Sequence, residues 1–122
     1  MTTTMPPKPV YRRGDVVLVL FPNSSLRTAK LRPALVIQAD DLQTGLPQVI
    51  LAMVTSRLFR GNHPSRVLIS ISTPEGQRSG LLSDSIVMLD NIATVAESEI
   101  DRVIGSLQMA QVDSALRHTL GL

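Results

Sequence analysis

Residues 15–21 are Asp-Val-Val-Leu-Val-Leu-Phe, in which six apolar side chains follow one another without a polar interruption. A run of this length that is rich in valine is typical of a β-strand, and it is far too short to cross a bilayer, which takes about 20 residues. Neighbouring residues of a strand point to opposite faces of its sheet. Because both faces of this strand are apolar, we expect both to be buried.

Further segments of the same kind extend the prediction from one strand to a whole sheet. They are rich in Val, Ile and Leu, and they comprise residues 34–37, 49–54, 67–71, 86–89 and 92–95. The segments between them carry Gly, Pro, Asn and Ser, which favour turns. We therefore predict a mainly β protein in which an antiparallel sheet bends into a small barrel.

Helical spacing of apolar residues occurs only near the C-terminus. The first stripe follows Ser98, a suitable helix cap, and comprises Ile100, Val103, Ile104 and Leu107. The second stripe comprises Met109, Val112, Leu116 and Leu120. We predict that these two segments are helices and that both pack on the sheet.

The cover of the two sheet faces bears on the oligomeric state. Two helices in so small a protein cover one face, and a second copy of the chain is the predicted cover for the other, which gives a homodimer. In the alternative interpretation, the interior of the barrel and the helices supply all of the cover.

The length of 122 residues is typical of one domain. Residues 1–10, which are rich in Thr and Pro, are predicted to be a flexible tail, and residues 11–122 are predicted to be the folded domain. The 43% of hydrophobic residues excludes a disordered protein. The N-terminus has no apolar stretch of the signal-peptide kind, so we expect a cytoplasmic protein that is not held in a membrane.

The composition also limits the chemistry. Cysteine is absent, which excludes disulfides, thiol nucleophiles and cysteine-ligated metals. No cluster of acids or histidines has the spacing of metal ligands, and no phosphate-binding glycine loop occurs, so we expect no metal site and no cofactor. Ten of the twelve Lys and Arg residues lie within residues 1–78, whereas six of the ten acids follow them. This asymmetry favours a polyanion-binding surface or, alternatively, internal pairing of the two halves.

Two basic segments are the candidates for that surface. Residues 22–33 contain Arg27, Lys30 and Arg32, and Pro33 fixes the point where Arg32 enters the next strand, which suits a phosphate contact. Residues 55–66 provide further predicted contacts for single-stranded nucleic acid, namely Ser56, Arg57, Phe59, Arg60, His63 and Arg66. The arginines suit the phosphate backbone and the ring of Phe59 suits stacking on a base. Alternatively, the arginines are only solvated surface residues and Phe59 belongs to the core.

An ordered set of motifs resembles the PemK/MazF family of bacterial toxins. The set comprises Arg13-Gly14-Asp15-Val16-Val17, Lys30-Leu31-Arg32-Pro33-Ala34-Leu35-Val36-Ile37, Val54-Thr55-Ser56 and the residues 80–95, 102–107 and 112–117. The resemblance covers residues 11–122. It implies an SH3-like barrel with a C-terminal helix, a homodimer, and metal-independent cleavage of single-stranded RNA by an mRNA interferase. It also implies a cognate antitoxin that fills the RNA groove and silences the enzyme.

The resemblance also implies which residues carry the chemistry. The arginine of the Arg-Pro-Ala-Leu-Val motif and the threonine after the third strand are tied to cleavage in the family, and they correspond to Arg32 and Thr55. Cleavage of this kind begins with attack of the RNA 2′-hydroxyl on the adjacent phosphate. A guanidinium suits the stabilisation of negative charge on the phosphoryl group, and a threonine hydroxyl suits a hydrogen bond to the phosphate or to the attacking 2′-hydroxyl. An aspartate of some relatives corresponds to Asp90, the predicted proton acceptor; alternatively, Asp90 is a turn residue or is hydrogen-bonded to the backbone.

Two departures from the family pattern keep a second function open. Arg27 stands where some relatives have a carboxylate, and Met88 stands where others have an arginine. The alternative function is a non-catalytic binding module, or a toxin that acts by holding a protein or nucleic acid in its groove without cutting it.

Overall fold

Six antiparallel strands form one sheet in the computed structural model, which describes residues 10–22 and 29–122. In chain order the strands are β1 (Asp15–Pro22), β2 (Ala29–Val36), β3 (Gln48–Thr55), β4 (Arg66–Ile69), β5 (Ser85–Ala96) and β6 (Ile100–Ser106). The helices are α1 (Pro74–Arg78) and α2 (Ala110–Leu120), and short 3₁₀ turns span Leu58–Gly61 and Glu97–Glu99. Of the predicted flexible tail, only Val10 lies within the described residues.

Val16 and Val17 of β1 are buried on opposite faces, as the sequence predicts, whereas Leu20 is 41% exposed. Val16 lies in one apolar cluster with Leu35 and with Val112 of α2, and Val17 lies in a second cluster with Ile100 of β6. Neither valine is exposed to solvent. In this part of β1 one chain therefore supplies cover for both faces, which favours the alternative interpretation of the sequence there. The homodimer stays a prediction that rests on the family resemblance.

The sheet does not close into a barrel. Its strand order is β4-β5-β3-β2-β1-β6, and no pairing joins the two outer strands in the part of the chain that the structure describes. One outer strand, β4, has only four residues, and α2 lies against β4 and β5. The predicted mainly β fold with a C-terminal helix is confirmed, whereas the predicted closure of the sheet is wrong.

The largest correction concerns residues 98–107, which their spacing predicted to be a helix. Ile100–Ser106 instead form β6, which pairs antiparallel with β1. Val103 and Ile104 are β-branched and favour a strand. Gly105 lies so close to the end of α1 that a Cβ atom there would lie 2.3 Å from the Ser79 carbonyl carbon. The second predicted helix, α2, is confirmed, and it ends at Gly121, which has a φ of 70°.

The β3–β5 pairing is interrupted by a bulge. Met53 pairs with Met88, whereas the preceding residue, Ala52, pairs with Ile92, so residues 89–91 have no partner in β3. The two segments predicted as separate strands, residues 86–89 and 92–95, are therefore the two ends of one strand, β5. Bulges re-aim side chains and are common beside functional sites.

The sequence prediction did not include α1. The hydroxyl of Thr73 accepts a hydrogen bond of 2.9 Å from the Gly76 amide, and Pro74 occupies the first helical position. A capping hydroxyl followed by proline is the local signal that identifies such a helix start. No helix within residues 10–22 and 29–122 is long and apolar enough to span a membrane.

Candidate functional site

A groove opens where β2 and β3 separate. β2 stays paired with β1 as far as Ala29, whereas its pairing with β3 stops at Ala34. The adjacent Pro33 has no amide hydrogen with which to continue the β2–β3 ladder. The groove has a volume of about 850 Å³, and its walls come from β2, the end of β3, the Leu58–Gly61 turn, residues 80–83 and β6.

Four arginines line this groove. Arg32 comes from β2, Arg57 and Arg60 come from the segment after β3, and Arg102 comes from β6. Among the described residues that line the groove, none is Asp, Glu or His. Clefts lined by charges of one sign concentrate ions of the opposite sign, so this groove suits an extended polyanion.

Arg32 and Thr55 face this groove from neighbouring strands. Arg32 lies two residues before Ala34, the first β2 residue paired with β3, Thr55 lies two residues after its partner Met53, and both residues line the groove. Arg32 is exposed and Thr55 is half-buried. The Thr55 hydroxyl oxygen accepts a hydrogen bond of 3.2 Å from the Arg57 amide, which leaves the hydroxyl hydrogen for another acceptor. The groove thus offers a permanent positive charge and a hydroxyl on one side.

The Leu58–Gly61 turn, with Ser56 and Arg57 before it, forms another side of the groove. Nη1 of Arg60 lies 3.9 Å from the sulfur of Met88, and its guanidinium carbon lies 5.8 Å from the centre of the Phe59 ring. Phe59 is 79% exposed, so it does not belong to the core. The ring does not line the groove, and it packs beside a groove arginine instead.

Other predicted contacts lie away from the groove. Lys30 is exposed on β2 but is not part of the groove wall, and the predicted contact Arg27 lies outside the described residues. His63 also lies outside the wall: its Nδ1 accepts a hydrogen bond of 3.0 Å from the Ser65 amide, and its ring centre is 6.1 Å from that of His118.

Asp90 and Arg66 form an ion pair beside the groove. Asp90 lies in the β5 bulge, and its Oδ2 atom is 2.8 Å from Nη2 of Arg66. Neither residue lines the groove. The hydrogen bonds from Arg66 lower the pKa of Asp90 below its ordinary value, against the opposing effect of partial burial. The predicted proton acceptor is therefore engaged by a protein cation.

Several groove residues were not identified from the sequence, namely Ser83, Ser85, Asn91 and Arg102. Arg102 was assigned to a predicted helix, and its actual place follows from the pairing of Leu18 with Arg102 across β1 and β6. A correct prediction of residues 100–106 as a strand would have placed Arg102 beside β1 and therefore at the groove. Within the described ranges, no three His, Asp or Glu residues lie close enough together to hold a metal ion.

Comparison with known proteins agrees with this fold. A family model described as the PemK-like, MazF-like toxin of type II toxin-antitoxin systems matches residues 12–120. An endoribonuclease from Mycobacterial species is 21% identical with a TM-score of 0.69, over 93% of this chain and 94% of that chain. A Mycobacterial endoribonuclease in complex with its cognate antitoxin is 22% identical with a TM-score of 0.67, over 92% and 96%.

A structure of MazE-MazF from Deinococcus radiodurans is also similar, with 17% identity and a TM-score of 0.69 over 94% of this chain and 99% of that chain. At these identities the structural matches establish the shared fold. The family model goes further because it matches nearly the whole chain. The chain therefore belongs to the PemK-like and MazF-like family of toxins of type II toxin-antitoxin systems.

Proposed function

We propose that this toxin is an endoribonuclease that cleaves single-stranded RNA by attack of a 2′-hydroxyl on the adjacent phosphate. The observation that carries the proposal is the groove, in which Arg32 and Thr55 share one space with three further arginines and, among the described lining residues, with no acid. The similarity to Mycobacterial endoribonucleases supports the same activity. We propose that the protein acts in the cytoplasm, where messenger RNA is translated.

The chemistry follows from the properties of the groove residues. The 2′-hydroxyl gives its proton to water as its oxygen forms a bond to phosphorus, the bond to the 5′-oxygen breaks, and this leaving oxygen takes a proton from water, so the products are a 2′,3′-cyclic phosphate and a 5′-hydroxyl. Arg32 stabilises the negative charge that builds up on the phosphoryl oxygens, since a guanidinium is permanently charged and is a poor proton donor. Thr55 donates a hydrogen bond to a phosphate oxygen or orients the attacking hydroxyl.

We propose that this cleavage needs no metal ion. Magnesium prefers carboxylate oxygens and waters, whereas the described groove wall offers guanidinium groups and hydroxyls. The arginines take over the neutralisation of phosphate charge that a metal ion supplies in other nucleases. Arg57, Arg60 and Arg102 then hold the phosphates on either side of the bond that breaks.

The direct test is incubation of the purified protein with mixed-sequence single-stranded RNA in excess chelator. We expect cleavage with new 5′-hydroxyl ends, and we expect a matched 2′-O-methyl RNA to remain intact because it lacks the nucleophile. Full-length RNA after incubation with protein shown to be folded by circular dichroism would reject the proposed activity.

A second candidate function is binding without cleavage. It is favoured by one observation: the described groove wall holds no carboxylate or imidazole that could accept the proton of the 2′-hydroxyl. Tight binding of RNA or of a protein partner, with no new RNA ends between about pH 6 and pH 9, would favour this second function over the first.

The salt dependence of binding tests whether the groove holds phosphates. Each phosphate neutralised on a single strand adds about −0.7 to the slope of log affinity against log salt, so four arginines predict a slope of roughly −3. We expect Arg57→Ala to reduce the steepness by about 0.7. Fluorescence anisotropy with a labelled 2′-O-methyl RNA, which is not cleaved, measures the affinity at each salt concentration.

The matched control for this measurement is Arg117→Ala. Arg117 is exposed on α2 and does not line the groove. The same loss of one positive charge there is expected to leave the slope unchanged. Equal slopes for the wild-type protein and Arg57→Ala would contradict the phosphate contact.

We further propose that a cognate antitoxin binds in this groove and that the protein forms a homodimer. The Mycobacterial relative in complex with its cognate antitoxin supports the first proposal. The basic groove wall suits an acidic peptide segment that competes with RNA. Competition between the antitoxin and 2′-O-methyl RNA tests the shared site, and light scattering of the toxin alone measures its oligomeric state.

A further inference from the structure

One ion pair beside the groove connects three parts of the fold. Arg66 begins β4 and lies opposite Met88 of β5. Its Nε and Nη2 donate hydrogen bonds to the two carboxylate oxygens of Asp90, at 3.3 Å and 2.8 Å. Its remaining nitrogen, Nη1, donates to the main-chain carbonyl oxygen of Arg60 at 3.0 Å. The planar guanidinium thereby joins β4, the β5 bulge and the Leu58–Gly61 turn.

The Leu58–Gly61 turn has few other attachments to the sheet. None of its residues is buried, and no side chain caps it. Leu58 is 48% exposed and Phe59 is 79% exposed. Within the turn, the Arg60 amide donates to the Arg57 carbonyl at 3.1 Å, and Gly61 lies against Ile86. A segment with little buried apolar surface depends on its hydrogen bonds for a fixed position.

We infer that Arg66 and Asp90 are positioning residues, which hold the turn so that Arg60 is kept at the groove, and that neither contacts the RNA. This inference rests on the proposed function of the groove as an RNA site. Three of the five N–H groups of Arg66 donate to protein oxygens, and its Nε and Nη2 edge is already taken by a bidentate contact with Asp90, so this edge is not available for a phosphate.

The position of Asp90 agrees with this role. Its carboxylate lies outside the groove wall and faces Arg66. The lowered pKa that Arg66 gives to Asp90 also makes it a weaker proton acceptor. Asp90 orients Arg66, and Arg66 holds the carbonyl of Arg60, so the carboxylate acts on the groove through two other residues.

The substitution Asp90→Asn distinguishes positioning from other roles by the sign of its effect. Removal of a negative charge near a polyanion site should by itself tighten RNA binding. The positioning role predicts the opposite, because the neutral amide holds Arg66 less firmly: we expect affinity for a 2′-O-methyl RNA to fall about threefold to tenfold. In cleavage assays KM should rise by the same factor, with kcat within about twofold of the wild-type value.

The matched control is Asp113→Asn. Asp113 forms an ion pair of 2.6 Å with Arg13, and the two side chains are 37% and 27% exposed, close to the 32% and 24% of Asp90 and Arg66. Neither Arg13 nor Asp113 lines the groove. The same chemical change at this second ion pair is expected to leave RNA affinity and KM unchanged.

A double-mutant cycle tests whether the effect passes through Arg60. We expect Asp90→Asn to cost little further affinity in an Arg60→Ala background, because the arginine that it positions is gone. Hydrogen exchange at the Arg60 amide gives an independent measure, and we expect it to be faster in Asp90→Asn than in the wild-type protein.

Several results would overturn the inference. Tighter RNA binding by Asp90→Asn would show a purely electrostatic effect, and a hundredfold loss of kcat at unchanged affinity would show a proton acceptor. The positioning role would also be rejected if Asp90→Asn lowered RNA affinity by the same factor in the wild-type and Arg60→Ala backgrounds. Unchanged hydrogen exchange at the Arg60 amide would reject it as well. A wild-type protein that cuts no RNA would reject the proposed function alone, since amide exchange measures the turn without RNA.

Discussion

Arg32→Ala is expected to lower kcat for RNA cleavage by about 10²- to 10³-fold, the cost of losing one preorganised charge-stabilising group. Arg32 is exposed on the part of β2 that is not paired with β3, and it does not belong to either apolar cluster. Its removal should therefore leave the melting temperature nearly unchanged. Single-turnover cleavage rates and thermal unfolding of the same preparation measure the two effects.

The controls separate a catalytic arginine from a structural one. Arg117→Ala on α2 removes the same charge far from the groove and is expected to keep the wild-type rate. Arg32→Lys keeps the positive charge without the planar fork, and an intermediate rate is expected. A large fall in melting temperature on Arg32→Ala would make Arg32 a structural residue, and an unchanged rate would remove it from the mechanism.

Gly105→Ala is expected to destabilise the protein by about 3 kcal/mol or more, as substitutions that force backbone displacement do. A Cβ atom at this position would lie 2.3 Å from the main-chain oxygen of Arg78 and equally close to the carbonyl carbon of Ser79. These are backbone atoms, so the end of α1 or β6 must move. Urea unfolding measured for both proteins gives the difference in free energy.

The sign of this effect also tests the assignment of β6. In the exposed middle of a helix, replacement of glycine by alanine stabilises by about 1 kcal/mol. Ser106→Ala, at an exposed neighbour on the same strand, is the control and should change stability by less than about 0.5 kcal/mol. A more stable Gly105→Ala protein would contradict the strand and restore the helix that spacing predicted.

The fold was predictable where the local pattern has one interpretation. Residues 16–21 are apolar on both faces, and Val16 and Val17 are buried on opposite faces of the sheet. Residues 100–107 fit two interpretations, since their apolar spacing suits a helix whereas the β-branched Ile100, Val103 and Ile104 favour a strand. The strand wins because β1 would otherwise have an unpaired edge. That edge belongs to a segment more than eighty positions earlier, and the local signals against a helix were Gly105 and the β-branched residues Val103 and Ile104.

The candidate site was also predictable only in part, because some of its residues are identified by local motifs and others only by long-range contacts. The family resemblance singled out Arg32 and Thr55, and the register of β2 and β3 brings both to one groove. Residue type alone did not distinguish Arg60, which lines the groove, from Arg66, which binds Asp90. Their difference depends on a turn and a bulge from distant parts of the chain, and neither has a clear sequence signature.

The ribosome releases β1 long before β6, although the two strands lie side by side in the finished sheet. Until residues 100–106 have been synthesised, one backbone edge of β1 has no partner, and Ile100 is missing from the apolar cluster around Val17. Arg102 reaches its place at the same late stage. A growing chain therefore completes this groove only after residues 100–106 have left the ribosome.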